Sequence, residues 1–452
     1  MNKNSRLHQK LKDTFNQLEM DFYPCFDWQF PPPDVRETER SPLFEQRMSE
    51  VSEYSIYLHI PFCLSICKFC YYTVSAAKED NPIRSQYFSS LIREVKAYAA
   101  LTPQGAKCES VYIGGGTPTA IGSHLTEIVK LIYSEFDLSE CKEFTVESSP
   151  NTLSRSFLEE LREAGVNRIS YGVQTLEQEV LHGVNRHYDV PSIIEDLSML
   201  EEIIGNFNVD TMYDLPGETT GSILNTLDIL RQYAPGITLY ALDPIRDKAG
   251  VAIHETAEEA QRKFHTAKKY LMDRGYNQLF QNNFVRDGGS YLHQVRRWDN
   301  LPVLAIGPSS QGYLPRYQYT NVSSIKKYVN RETDFSIERQ QSLDAKLEAA
   351  RELTTKLRFY GVDIEAVNRK YNFDVFSTFS EMIDILVGAN QMEFVDGILR
   401  LTLEGERNNN IIPMMFAPDT LTSELCTMKH PLAPVFGEFG ERQTGEYLSS
   451  SS

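Results

Sequence analysis

Between residues 54 and about 245 two hydrophobic patterns alternate along the chain. Short strand-like runs lie at 54–60, 109–113, 143–148, 167–173, 207–213 and 237–242. Helical stretches fall between them, near 82–101, 123–135, 153–164, 192–204 and 220–233. Six βα units with short connections predict parallel strands and right-handed crossovers. The expected fold is therefore α/β, a partial (β/α)6 TIM-type barrel. In such a barrel ligand chemistry gathers at the C-terminal ends of the strands.

The pattern changes at both ends. Residues 1–50 are irregular, interrupted by Pro31-Pro32-Pro33 and followed by the charge run from Arg36 to Arg40, and read as an N-terminal arm. Residues 51–335 read as the core barrel with an extension from 246, in which a helix at about 255–274 precedes mixed loops. From 336 to 425 a small α+β domain is expected, with helices from Ser342 to Arg358 and over 374–388, then a hairpin from Met392 to Thr402. The tail, 426–452, reads as loose.

With 452 residues the chain can form two or three domains around a large core. Its net charge of −17 argues against nucleic acid and anionic membrane as partners. Its apolar runs fall short of the roughly 18–20 residues that span a bilayer, and Met1 to His8 lack the apolar core of a secretory signal. Seven cysteines in no regular framework point to a reducing, cytoplasmic setting. Four of them, Cys25, Cys108, Cys141 and Cys426, are scattered and read as ordinary small core or surface residues.

The other three, Cys63, Cys67 and Cys70, follow the first strand as C-x3-C-x2-C. Thiolates so close on one loop can converge on a single soft-metal centre. A zinc site would want a fourth Cys or His to close its tetrahedron, and His59 is the only histidine nearby. Three ligands on a 4Fe–4S cluster would leave one iron open to a second molecule. The segment Tyr57-Leu-His-Ile-Pro-Phe-Cys63 through Cys70 resembles the radical S-adenosylmethionine (SAM) enzymes, and among them the HemN-like group. That group holds oxygen-independent coproporphyrinogen III dehydrogenases, HemW-type haem chaperones and class C radical methyltransferases.

The resemblance continues strand by strand and implies roles. Gly114-Gly115-Gly116-Thr117-Pro118 follows the second strand. Glycines there allow close backbone approach, and no Gly-Lys-Ser/Thr follows to make a phosphate loop; in the family this segment contacts the methionine amino group of SAM. Glu147, ending the third strand, matches a glutamate near the ribose and methionine moieties. Gln174 closes Arg168-Ile-Ser-Tyr-Gly-Val-Gln and suits a ribose hydroxyl or carboxylate. Arg186 matches an arginine that pairs with a cofactor carboxylate. Asp210 matches a ribose-holding carboxylate, and Tyr57 a tyrosine flanking SAM. Asp214 stands where the family usually has glycine. Residues 275–284 and 304–313 match segments that border the substrate cavity and a second SAM.

The implied chemistry is one-electron cleavage of SAM at the cluster, after which a 5′-deoxyadenosyl radical abstracts a hydrogen atom. Expected cofactors are a 4Fe–4S cluster and SAM, with a second SAM. Expected partners are a small-molecule substrate and an electron donor such as flavodoxin or ferredoxin, around a monomer. Coproporphyrinogen dehydrogenases resemble C-x3-C-x2-C-G-C, but here Tyr72 occupies the last cysteine's position. That departure favours methyl or alkyl transfer to an sp2 carbon over porphyrinogen oxidation, with the haem chaperone as a further alternative. Tyr71 and Tyr72 are candidates for proton transfer by position alone.

Overall fold

The six expected strands form one uninterrupted parallel array in the structure, a computed structural model that describes residues 35–36, 42–70, 72–242, 257–358 and 361–406 together with Ile412 and Phe416. A two-residue strand, β1 (Val35–Arg36), precedes it. The array comprises β2 (Glu53–Ile60), β3 (Lys107–Gly115), β4 (Glu143–Ser148), β5 (Arg168–Gln174), β6 (Phe207–Tyr213) and β7 (Gly236–Ala241). Each pairs in parallel with the next. The chain returns between them through helices including Pro82–Leu101, Ser123–Glu135, Arg155–Glu163, Val190–Ile203 and Thr220–Leu230. Local signals set where these helices begin. Asn81 caps the first and Pro82 opens it, Asp189 caps the fourth, and Thr219 and Ser222 close a reciprocal capping box on the fifth.

The extension departs from expectation. Residues after the helix Ala257–Met272 form β8 (Asn277–Phe280), β9 (Asn283–Val285), β10 (Val303–Ile306), β11 (Gln311–Leu314), β12 (Tyr317–Asn321) and β13 (Ile337–Ser342), where mixed loops were expected. All join the core sheet, whose order is β1-β13-β12-β11-β10-β2-β3-β4-β5-β6-β7-β9-β8. These runs are only three to six residues long, too short to show a period, and Val303–Ile306 is buried throughout. A run buried on both faces carries no alternation.

Between β9 and β10 the helix Leu292–Trp298 closes the inside of the array. The Glu143 carboxylate accepts the N–H groups of Leu292 (2.6 Å) and His293 (3.1 Å). The His293 ring nitrogen lies 3.0 Å from Ser110 Oγ. Arg168 donates to the Ser290 carbonyl (2.8 Å) and its guanidinium lies 4.0 Å above the Tyr291 ring. This buried polar layer forms a floor beneath the strand ends.

The C-terminal part folds around the helices Ala345–Lys356, Ile364–Tyr371 and Val375–Gly388 and a small sheet of β14 (Val362–Asp363), β15 (Met392–Val395) and β16 (Ile398–Leu401). It has its own apolar cluster, including Leu353, Val367, Leu386 and Leu399. The helix expected from Ser342 begins at Ala345, because Asp344 supplies its cap and Ser342 still belongs to β13. Most of the expected arm, the tail from 426, and Tyr71 lie outside the described residues.

Candidate functional site

At the C-terminal ends of β2 to β7 lies a cavity of about 340 Å³. Tyr57, Cys63, Cys67, Cys70, Tyr72, Gly115, Gly116, Thr117, Glu147, Gln174, Arg186 and Asp210 all line it. Of the sequence-selected residues, Gly114 stands just behind the wall.

The cysteine loop is pinned at both ends. Cys63 N–H donates to the Ser75 carbonyl (3.0 Å) and Ser75 N–H to the Pro61 carbonyl (2.6 Å). Cys70 N–H donates back to Cys67 (3.1 Å) and Lys68 N–H reaches Val184 (3.1 Å). Asn185 Nδ2 holds the Ile66 carbonyl at 2.7 Å. Burial, with the nearby Cys70 as the next cause, pushes the Cys63 thiol up to about 12. As the side chains stand, no three His, Cys, Asp or Glu among the described residues have the geometry of a metal site. The donor chemistry does fit a soft-metal cluster: three thiols outside any disulfide stand on one loop at one cavity mouth.

The three glycines are dictated by space. A Cβ at Gly114 would sit 2.9 Å from the Glu147 carboxyl carbon, one at Gly115 2.7 Å from the His59 ring, and one at Gly116 2.9 Å from Cys63 Sγ. Gly115 also has φ +119°. The run lets β3 pass flush against the cysteine loop: Gly116 N–H donates to Ile60 O (2.8 Å) and Thr117 N–H to Phe62 O (2.8 Å). His59 is held beneath them, 2.9 Å from the Thr73 carbonyl and 3.2 Å from the Tyr57 hydroxyl. Burial lowers its pKa to about 4 and keeps it neutral.

Two carboxylates face the cavity. Glu147 accepts from the Tyr112 hydroxyl (2.7 Å) and from Gly115 N–H (2.8 Å). Burial outweighs those bonds and raises its pKa to about 7. Asp210 accepts from Ser170 Oγ (3.0 Å) and Asn208 Nδ2 (2.7 Å), and burial raises it to about 6. Opposite them Arg186, 5% exposed, donates to the Gly172 carbonyl (2.7 Å) and approaches Cys67 Sγ at 3.6 Å. Its Nε is buried without a hydrogen-bond partner, which leaves it a donor for an anionic group. Gln174 holds a left-handed φ of 75°, backbone strain of the kind that clusters at ligand sites. Asp214 has φ 65°, which explains a glycine in related chains, and pairs with Lys263 at 3.2 Å.

An aromatic wall was legible in the sequence only in part, through Tyr57 and the segment 275–284 that carries Phe280. Tyr57 stacks on Tyr112 (6.0 Å between centroids) and Tyr112 on Tyr291 (6.5 Å), with Phe280 against Tyr291 (5.7 Å). Tyr291 arrives on the loop before the floor helix, far from the strand pattern. Tyr72 is 41% exposed at the mouth; Tyr71 lies outside the described residues.

The three thiols thus stand at the mouth of a pocket at parallel strand ends, and residues 57–230 match the Radical SAM superfamily. Within that superfamily the chain is similar to proteins of the HemN-like group. It is 27% identical over 377 residues to the haem chaperone HemW of Lactococcus lactis, covering 81% of this chain and 98% of that one. It is 26% identical to the oxygen-independent coproporphyrinogen III oxidase of Paracoccus denitrificans, covering 80% and 86% respectively. The fold matches that of coproporphyrinogen III oxidase (HemN) from Escherichia coli with a TM-score of 0.76 over 88% of this chain and 96% of that one, at 22% identity. The cofactors of the group are a 4Fe–4S cluster and SAM.

Proposed function

We propose that Cys63, Cys67 and Cys70 hold the cluster and that the cavity beside them binds SAM and a small organic substrate. The observation that carries this reading is the convergence of the thiols, Arg186, Glu147 and Asp210 on one cavity. When bound, the cluster supplies the electron that cleaves SAM, and the 5′-deoxyadenosyl fragment takes a hydrogen atom from the substrate.

The chain's own residues do the holding. Arg186, fixed by Gly172, presents Nε to a carboxylate. Glu147 and Asp210 accept hydrogen bonds from ammonium or hydroxyl groups, and a cation brought between them would pull their raised pKa values back down. The wall of Tyr57, Tyr112, Tyr291 and Phe280 gives a flat apolar surface for a conjugated substrate. Filling the cavity displaces water from the reacting carbon. An external one-electron donor such as flavodoxin or ferredoxin completes the cycle.

Methyl or alkyl transfer from a second SAM rests on Tyr72 and on an N-terminal arm unlike that of the dehydrogenases, and the relatives lend it no support; their names point to porphyrinogen oxidation and haem handling. Haem binding is the second reading, favoured by the full-length similarity to HemW. Anaerobic incubation of the reconstituted, reduced protein with methyl-deuterated SAM separates these. Formation of 5′-deoxyadenosine supports the proposal, and S-adenosylhomocysteine in comparable amount would assign group transfer. A Soret band on haem titration without either product would replace the proposal with the second reading.

A further inference from the structure

We propose that Cys108 and Cys141 form a reversible dithiol/disulfide pair at the end of the barrel remote from the cysteine loop. The two are 33 residues apart in sequence but meet where β3 and β4 begin to pair. Parallel pairing of these strands starts at Ser110 and Glu143, two residues beyond each cysteine, and Lys142 N–H donating to Glu109 O (3.0 Å) carries the contact back toward them. Cys108 is fully buried and Cys141 half-buried, against the same apolar cluster. Cys108 Sγ lies 3.4 Å from the Ser110 carbonyl and Cys141 Sγ 3.5 Å from that of Glu143.

Both cysteines stand two residues before a paired position, so their side chains leave the same face of the sheet. Extending the register back by two residues puts them at about the 4.8 Å spacing of neighbouring strands, within the roughly 4.4–6.8 Å between Cα atoms that a disulfide bridges. Their environments differ. Cys108 is fully buried, which pushes its thiol well up, whereas Cys141 is only half-buried and open to a small oxidant. Cys141 is thus the attacking thiolate and Cys108 the resolving thiol. With hydrogen peroxide as oxidant, Cys141 sulfur takes one peroxide oxygen and a water leaves. Cys108 sulfur then displaces that oxygen as a second water, its own proton going to the departing hydroxide. Two thiols are oxidised by two electrons and one peroxide is reduced. β3 from Cys108 to Gly115 spans about 23 Å at strand rise, so this chemistry is separate from that of the cluster thiols.

The test uses the full-length holoprotein treated with hydrogen peroxide, alkylated without reductant, digested and mapped by mass spectrometry. The expected result is a linked peptide joining Cys108 and Cys141 that a phosphine reductant abolishes. In Cys108→Ser, labelling of Cys141 by a sulfenic-acid trap should rise several-fold over wild type. Recovery of both cysteines as separately alkylated or separately over-oxidised peptides in the wild type would overturn the proposal. So would equal trapping of Cys141 in wild type and variant. Neither readout depends on SAM cleavage.

Discussion

Gly115 lets β3 pass over the His59 ring at the end of β2. Its φ of +119° and the His59 ring 2.7 Å from a would-be Cβ both oppose substitution. Gly115→Ala should cost about 1–3 kcal/mol and displace the His59 ring from the Thr73 carbonyl it holds just after the cysteine loop. Thermal unfolding of the unliganded protein checks the first effect, and iron content after reconstitution the second. Glu147 makes a different residue-scale prediction. Burial holds its carboxyl at about 7, above the ordinary 4.5, so the folded protein binds that proton more tightly than the unfolded chain. The contribution is complete below about pH 4.5 and is lost as pH rises through about 7. In Glu147→Gln the unliganded protein's Tm should therefore fall less between about pH 5 and about pH 7 than in wild type. An unchanged slope would show that Glu147 is ionised throughout. The glycine run, the thiols and both carboxylates were legible as residues, because each motif sits at the end of a recognisable strand. The aromatic wall was legible only through Tyr57 and the segment 275–284 that carries Phe280; Tyr291 comes from a short run after β9 that carries no periodic signal.

At the scale of elements, the helix Ala345–Lys356 joins the C-terminal part to the barrel sheet through buried charge. Glu348 accepts from the Tyr313 hydroxyl (2.8 Å). Arg351 donates to Asn300 Oδ1 (2.8 Å) and Gln318 Oε1 (3.1 Å). One turn along, Glu352 receives Lys356 and Lys370 at 2.7 Å each and the Tyr371 hydroxyl at 2.5 Å. Removing one partner of a buried charged set leaves the others uncompensated. Glu352→Ala should destabilise by about 3 kcal/mol, read as a lower urea midpoint; a loss within about 0.5 kcal/mol would mean that the lysines simply turn to water. The helix itself was legible in the sequence. Its polar inner face was not, since Glu, Arg and Lys on a helix ordinarily read as a solvated side.

Over the whole molecule, the βα alternation predicted the parallel array because its strands are long and its helices are capped where the sequence says. The floor helix, β8 to β13 and the meeting of Cys108 with Cys141 depend on contacts between distant segments, and no local pattern announces them. The central claim is that the three-thiol loop holds the centre that cleaves SAM. Its most direct test compares wild type with Cys67→Ala after anaerobic reconstitution and reduction, measuring iron per chain and 5′-deoxyadenosine formed from SAM. The account predicts about four irons and 5′-deoxyadenosine in the wild type, and neither in the variant. Equal iron and equal product in both proteins would contradict it.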